Sequence, residues 1–155
     1  MEALANFIRK FNTSLKIDKN LVIKRLDRYY LLRENMKPLT ERTFFYAGVY
    51  LGKTKNRTFF PSFNLLAMIA RRVSNRVVVN AKTEWLFTCG RDIFKQGIIN
   101  ALGATRKGNY TLVINQYDEC IGFGKILHDL EGRIHENEPI IKNVSDIGDF
   151  LRRER

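Results

Sequence analysis

Apolar positions 3, 4, 7, 8 and 11 (Ala, Leu, Phe, Ile, Phe) recur at the i, i+3, i+4 spacing of a single helical face. Arg9 and Lys10 follow near the end where cations complement the helix dipole, so residues 3–11 are expected to form an amphipathic helix. Two short β-branched and aromatic runs, 21–25 and 29–33, predict a hairpin turning at Asp27-Arg28. A turn-rich stretch around Pro38 precedes TFFYAGVYLGK (43–53), which reads as a buried strand. Pro61-Ser62 then opens a helix with Ser62 as its N-cap. Leu65, Leu66, Ile69 and Val73 form the inner face of that helix, and Arg71-Arg72 close it.

Ser74-Asn75-Arg76 reads as a linker, placing a boundary near residue 75. Beyond it the pattern shifts to short strands and glycine-marked turns. Val77–Val79 forms a strand, 82–87 a short helix, and Val113-Ile114 and Ile121–Phe123 two strands joined by the loop 115–119. Residues 143–150 end in a small helix or turn ahead of the basic tail LRRER. The expected fold class is α+β: a small α/β unit over 1–75 with antiparallel strands, then a mixed β-barrel over 76–155.

The 155 residues suit one domain or two small ones, and 45% apolar with 28% charged residues is ordinary globular composition. The N-terminal stretch MEALANFIRK lacks the apolar core of a signal peptide, and no apolar run approaches the ~20 residues of a membrane span. A soluble, cytoplasmic protein is the expectation, and the four Asn-x-Ser/Thr sequons at Asn12, Asn56, Asn109 and Asn143 then carry no glycan. Cys89 and Cys120 read as small buried thiols.

Charge changes the picture. The net charge is +11, and all of the excess lies in residues 1–76, with 16 basic against 5 acidic side chains; residues 77–155 hold 11 of each. Such asymmetry favours a polyanionic partner and two units with different electrostatic roles.

Sites for chemistry are missing. Leu51-Gly52-Lys53-Thr54 echoes the end of a phosphate-binding loop, but position 47 is Ala where that loop needs Gly, Gly48 is one residue off, and no helix follows. Gly122-Phe123-Gly124-Lys125 sits on a strand, where glycines mark the close approach of another backbone. Cys89, Cys120, His128 and His135 lack metal-ligand spacing. Neither histidine has a nucleophile partner, and Asp118-Glu119 are turn carboxylates. No enzyme activity, cofactor or metal is expected.

Basic residues interleaved with aromatics are the remaining signal. Lys53, Lys55 and Arg57 alternate beside Tyr50, Phe59 and Phe60. Cations hold phosphates and aromatic faces stack unpaired bases, while the same aromatics could equally be core.

The segment VVVNAKTEWLFTCGRDIFKQGI (77–98), the hairpin NYTLVINQYDECIGFGKI and the close NVSDIGDFLRR resemble a PUA domain. With LGKTKNRTFFPSFNLLAMIA directly upstream, the chain resembles the Nip-seven family of ribosome-biogenesis factors in an archaeal-sized form, over about Gly48 to Arg153. That resemblance implies a PUA-type mixed barrel behind an α/β domain, and no catalysis. It also implies a role in large-subunit rRNA processing, a preference for U- or AU-rich single-stranded RNA, and contact with other processing factors such as the exosome. By the same resemblance Lys142 is the matched RNA-contact position, whereas Glu138, Pro139 and Ser145 stand where relatives carry basic residues. Lys125, Arg133, Arg152 and Arg153 are candidates to compensate, and Arg91 and Lys95 sit in the glycine-marked turn. A monomer that binds precursor rRNA is the leading expectation. The alternative is an adaptor whose basic half docks an acidic assembly factor.

Overall fold

In the computed structural model, which describes residues 1–41, 47–132 and 137–149, the chain forms two sheets sharing a continuous core. Helix α1 (Glu2–Arg9) precedes the first sheet, of order β1-β2-β3-β4: β1 (Val22–Arg25), β2 (Arg28–Leu31), β3 (Val49–Lys55) and β4 (Thr58–Pro61), all antiparallel. Helix α2 (Phe63–Ala70) leads to the second sheet. It contains β5 (Arg76–Val79), β6 (Ile93–Phe94), β7 (Ile98–Leu102), β8 (Tyr110–Ile114), β9 (Cys120–Ile126) and β10 (Pro139–Asp146), with α3 (Ala81–Thr88) between β5 and β6. Its order is β6-β10-β9-β8-β5-β7, and β5 pairs parallel to β8, so it is a mixed sheet curled into a half-barrel. The α+β class expected from the sequence is the observed one.

Local chemistry explains most elements. Ser62 caps α2 by accepting from Leu65 N–H at 3.2 Å, and Asn80 caps α3 by accepting from Thr83 N–H at 2.9 Å. The Gly122 and Gly124 strand meets a neighbouring backbone as its glycines foretold. A Cβ on Gly122 (φ +152) would stand 2.2 Å from the Ser145 carbonyl, and one on Gly124 2.6 Å from that of Lys142.

Several expectations are corrected. The first hairpin turns at Leu26-Asp27, not Asp27-Arg28, because Arg28 already pairs with Arg25. The aromatic strand begins at Val49: Gly48 (φ +66) packs its bare Cα against the Leu31 carbonyl, and residues 43–46 lie outside the described ones. Helix α2 ends at Ala70, which leaves Val73 78% exposed instead of on an inner face. Arg71 is its C-cap as expected, and the Arg76 guanidinium adds bonds to the Ala70 and Arg72 carbonyls, while the Arg71 and Arg72 side chains are exposed. Residues 139–146 are strand, so 143–146 belong to it, while 147–149 are helical, the small helix expected at the end of this stretch. Cys89 is exposed rather than buried.

The largest correction concerns 74–76. Ser74 and Asn75 are 4% and 2% exposed, so this stretch is no solvated linker. Asn75 N–H donates to the Phe11 carbonyl (2.8 Å), and its own carbonyl accepts from Leu112 N–H (2.9 Å). Its side-chain Nδ2 donates to the Tyr110 carbonyl (3.2 Å), and Oδ1 accepts from Ala104 N–H (2.9 Å). The end of α1's chain and the start of β8 are thereby tied to one residue. Apolar packing does the rest: Leu4, Phe7 and Phe11 join Leu51, Phe59, Leu65 and Ile69 from the first half with Leu112, Ile114 and Phe123 from the second. Edge-on ring contacts of Phe7 and Phe11 on Phe123, at 5.5 and 5.7 Å, cross that junction. A second cluster, built on Val77, Val79, Phe87, Ile93 and Ile141, fills the half-barrel.

Candidate nucleic-acid interface

A groove of about 410 Å³ opens where the edge strand β4 faces the half-barrel. Buried Phe7, Phe59 and Phe123 form its floor, and partly exposed Tyr50, Phe60, Phe63 and Tyr110 its walls. Lys10 and Lys53 supply positive charge; Asp149 is the one carboxylate among the described lining residues. Lys10 Nζ stands 4.5 Å from the centroid of the Tyr110 ring, a cation–π contact that holds the ring and the charge side by side.

Tyr110 begins a row across three strands. It lies opposite Lys125 on β9, and Lys125 lies opposite Lys142 on β10. Residues directly opposite in an antiparallel pair share a face, and Lys125 shares the face of Phe123 by the period of two. The two lysines, both exposed, therefore continue the groove's charge along the same side of the half-barrel.

The sequence candidates separate into groups. Lys53 lines the groove. Lys55 ends β3, and Arg57 sits in the β3–β4 turn, in left-handed conformation (φ +63) beside Asn56 (φ +50). Lys125 and Lys142 come together with Tyr110, as described. Arg91 and Lys95 do not line the groove, and Lys95 Nζ instead donates to the Gly132 carbonyl at 2.9 Å, bracing a loop. Arg133, Arg152, Arg153 and His135 lie outside the described residues. Of the two neighbouring phenylalanines, Phe59 opposes Thr54 and belongs to the core, while Phe60 opposes Lys53 and is 36% exposed. Lys10, Tyr110, Phe123 and Ser145 are groove residues that sequence reasoning did not single out as binding groups. Only the cross-strand register and the packing of α1 assemble them.

Groups capable of other chemistry have structural occupations. Asn115 Nδ2 donates to Glu119 (2.8 Å) and Glu84 (3.0 Å), which fixes the β8–β9 turn, and Asp118 stands 3.9 Å from Arg76. His128 is 3.9 Å from Glu138. Among the described residues no three His, Cys, Asp or Glu side chains are grouped to hold a metal.

Burial pushes the Cys120 thiol up to about 11, the Gly122 carbonyl it donates to opposing the rise only in part. The native state thus holds this proton more tightly than the unfolded chain, whose thiol titrates near ~8.5. The contribution is fully present below that value and is lost as pH rises towards 11. Urea titrations from pH 8 to 11 are expected to show wild type losing stability relative to Cys120→Ala. Parallel curves would contradict this.

The UPF0113 PUA domain family matches residues 75–155. A UPF0113 protein of Archaeoglobus fulgidus is 31% identical over 112 residues, covering 71% of this chain and 63% of that relative, so the chain spans less than two thirds of its length. A PUA domain structure from Aeropyrum pernix K1 superposes over 97% of this chain and 83% of its own with a TM-score of 0.63 at 12% identity. A conserved PUA domain protein from Thermoplasma acidophilum covers 86% of this chain and 79% of its own, with a TM-score of 0.56 at 20% identity. A hypothetical protein from Pyrococcus horikoshii OT3 covers 99% and 92%, with a TM-score of 0.59 at 14% identity. These likenesses agree on the fold, and the match from Asn75 onward covers the whole half-barrel. The chain is a member of the UPF0113 PUA domain family.

Proposed function

We propose that this protein binds single-stranded RNA without catalysing a reaction, and that it acts in large-subunit ribosome assembly and rRNA processing. The observation that carries the reading is the groove: an aromatic floor, half-exposed rings, and Lys10 and Lys53 at its sides, with Lys125 and Lys142 in cross-strand register beyond Tyr110. Cations neutralise phosphates, and unpaired bases stack on aromatic faces at about 1–3 kcal/mol each. A duplex offers no free base face to such a surface. Membership of a PUA family supports the RNA assignment. The resemblance to the Nip-seven family supports U- or AU-rich strands in precursor rRNA, other processing factors such as the exosome as partners, and a monomeric cytoplasmic protein.

On this reading residues 1–75 and 76–155 are two units with a shared binding surface. Lys142, Lys125 and Lys53 are its contacts, with Lys55 and Arg57 at the hairpin tip. Arg91 does not line the groove, Lys95 is spent partly on its loop, and Arg133, Arg152 and Arg153 are further candidate cations. A second reading, an adaptor for an acidic assembly factor, is favoured by Glu138, Pro139 and Ser145 at positions where basic residues would strengthen an RNA site.

Titration of the full chain with U-rich single-stranded RNA, duplex RNA and single-stranded DNA at rising salt separates the two readings. Tight binding of the RNA strand, with a slope of about −0.7 per phosphate contact, is the expected result. Weak and equal binding to all three, lost at physiological salt, would favour the adaptor.

A further inference from the structure

Helix α1 has a second flank. Residues three apart are neighbours on a helix surface, so Phe7 and Lys10 face the groove together, while Ala5 and Ile8 fall on the opposite side of the helix. Residues 13–18 lie beside that side. Thr13, Leu15 and Ile17 are partly buried and Ser14, Lys16 and Asp18 are exposed, the period of two of an extended chain. Ser14 N–H donates to the Val73 carbonyl (3.1 Å), and Asp18 caps the turn 19–21 by accepting from Asn20 N–H (2.9 Å), so the stretch is fixed at both ends. Between helix and stretch opens a slot of about 180 Å³. Leu4 and Val22 form its floor, and Ala5 and Ile8 face Leu15 and Ile17 across it. Arg9 and Lys19, both exposed, stand at its rim.

Size, lining and charge together select an occupant. An apolar cavity of about 150 Å³ takes a benzene ring, so this slot has room for one large apolar side chain. No aromatic ring and no carboxylate is among its described lining residues. Without a ring, the slot offers an unpaired base nothing to stack on. Being concave, it receives an inserted group, whereas a membrane surface takes up side chains that project. A second copy of the chain, or the basic LRRER end, would bring further cations against Arg9 and Lys19. Residues 1–22 as a whole hold Arg9, Lys10, Lys16 and Lys19 against Glu2 and Asp18. The complement is an apolar side chain carried between carboxylates. Ile8, Leu15 and Ile17 pack on the main core, so an anchor in the slot meets the core directly, the setting in which one buried side chain dominates an interface.

We propose that the slot between α1 and residues 15–22 docks an acidic protein segment through one apolar anchor, with Arg9 and Lys19 pairing with carboxylates beside that anchor. The proposal adds a protein contact to the RNA-binding reading and does not rest on it. Helix α1 then separates two occupants, RNA on the side of Phe7 and Lys10 and protein on the side of Ala5 and Ile8, so both can be bound at once.

The test follows the methyl NMR signals of Ile8, Leu15 and Ile17 in the full-length protein as peptides are added. The probes are a short peptide of Asp and Glu around one central Phe, the same peptide with Ser in place of Phe, and polyglutamate. Saturable shifts are expected with the Phe peptide, and binding weaker by about tenfold or more with the other two, the effect of one large apolar side chain leaving water. Ala5→Leu fills the slot with a good helix former. It is expected to weaken the Phe peptide by about tenfold or more while the thermal midpoint stays level or rises. Arg9→Gln/Lys19→Gln is expected to weaken it by about tenfold and flatten its salt dependence, with affinity for U-rich RNA held within about threefold because neither residue lines the RNA groove. Equal binding of the Phe and Ser peptides, or an unchanged affinity in Ala5→Leu, would overturn the proposal. So would shifts of the same three signals caused by U-rich RNA, which would assign the slot to nucleic acid, or by raising the protein concentration alone, which would assign it to a second copy. Loss of RNA binding in the salt titration would remove the RNA reading and leave this site standing.

Discussion

Replacing Asn75 with alanine is expected to cost about 3–5 kcal/mol of stability, the largest loss of any single polar substitution considered for this chain. The side chain satisfies two backbone groups at once, the Ala104 N–H and the Tyr110 carbonyl, and Asn75 is 2% exposed. Orphaning a buried donor or acceptor costs about 1–3 kcal/mol, and the lost volume adds to that. Nothing nearby can substitute. Gly103 lies so close that a Cβ there would stand 2.4 Å from Asn75 Oδ1, so the loop is fitted to the amide itself. Urea denaturation measures the effect, and a loss below about 1 kcal/mol would contradict the role assigned to the residue. Because the lost amide also held the Tyr110 carbonyl at the start of β8, the variant is expected to loosen Tyr110 and weaken the groove.

The second large effect separates stability from binding. Lys125→Glu turns a like-charge cross-strand pair with Lys142 into an opposite-charge pair. Stability should hold or rise by up to about 1 kcal/mol. RNA affinity should fall at least tenfold at moderate salt, because a phosphate contact becomes a repulsion, and Lys125→Glu/Lys142→Glu should lose about 100-fold. Thermal melts and salt-dependent titrations on the same preparations read both quantities. A loss of affinity that tracked a loss of stability would assign the lysines a structural role.

What the sequence revealed follows from how local each signal is. Helix α2 was legible because Ser62 caps it within three residues, and α3 was expected over 82–87 without its Asn80 cap. The β8–β9 hairpin and the packed glycines Gly122 and Gly124 were legible for the same reason, and the charge asymmetry needs only counting. The linker reading of 74–76 went wrong because Ser-Asn-Arg is polar, and nothing local shows that Phe11, Ala104, Tyr110 and Leu112, all distant in sequence, converge on Asn75. Phe59 and Phe60 could not be told apart until the register placed Thr54 opposite one and Lys53 opposite the other. Lys10 looked like a helix-end cation, and only the packing of α1 on β8 sets it over the Tyr110 ring. The groove depends on contacts between the halves, so it was the least visible feature. Lys53, Lys125 and Lys142 were visible as cations but not as neighbours of these rings.

Photo-crosslinking of U-rich RNA carrying 4-thiouridine to the full-length protein, with the attached peptides identified, tests the central claim most directly. Crosslinks are expected at Tyr110 and Phe60, the partly exposed rings beside Lys10 and Lys53, and are expected to be lost when a long unlabelled U-rich strand competes. Crosslinks confined to the exposed Trp85 of α3, or to no aromatic residue of the groove, would contradict it.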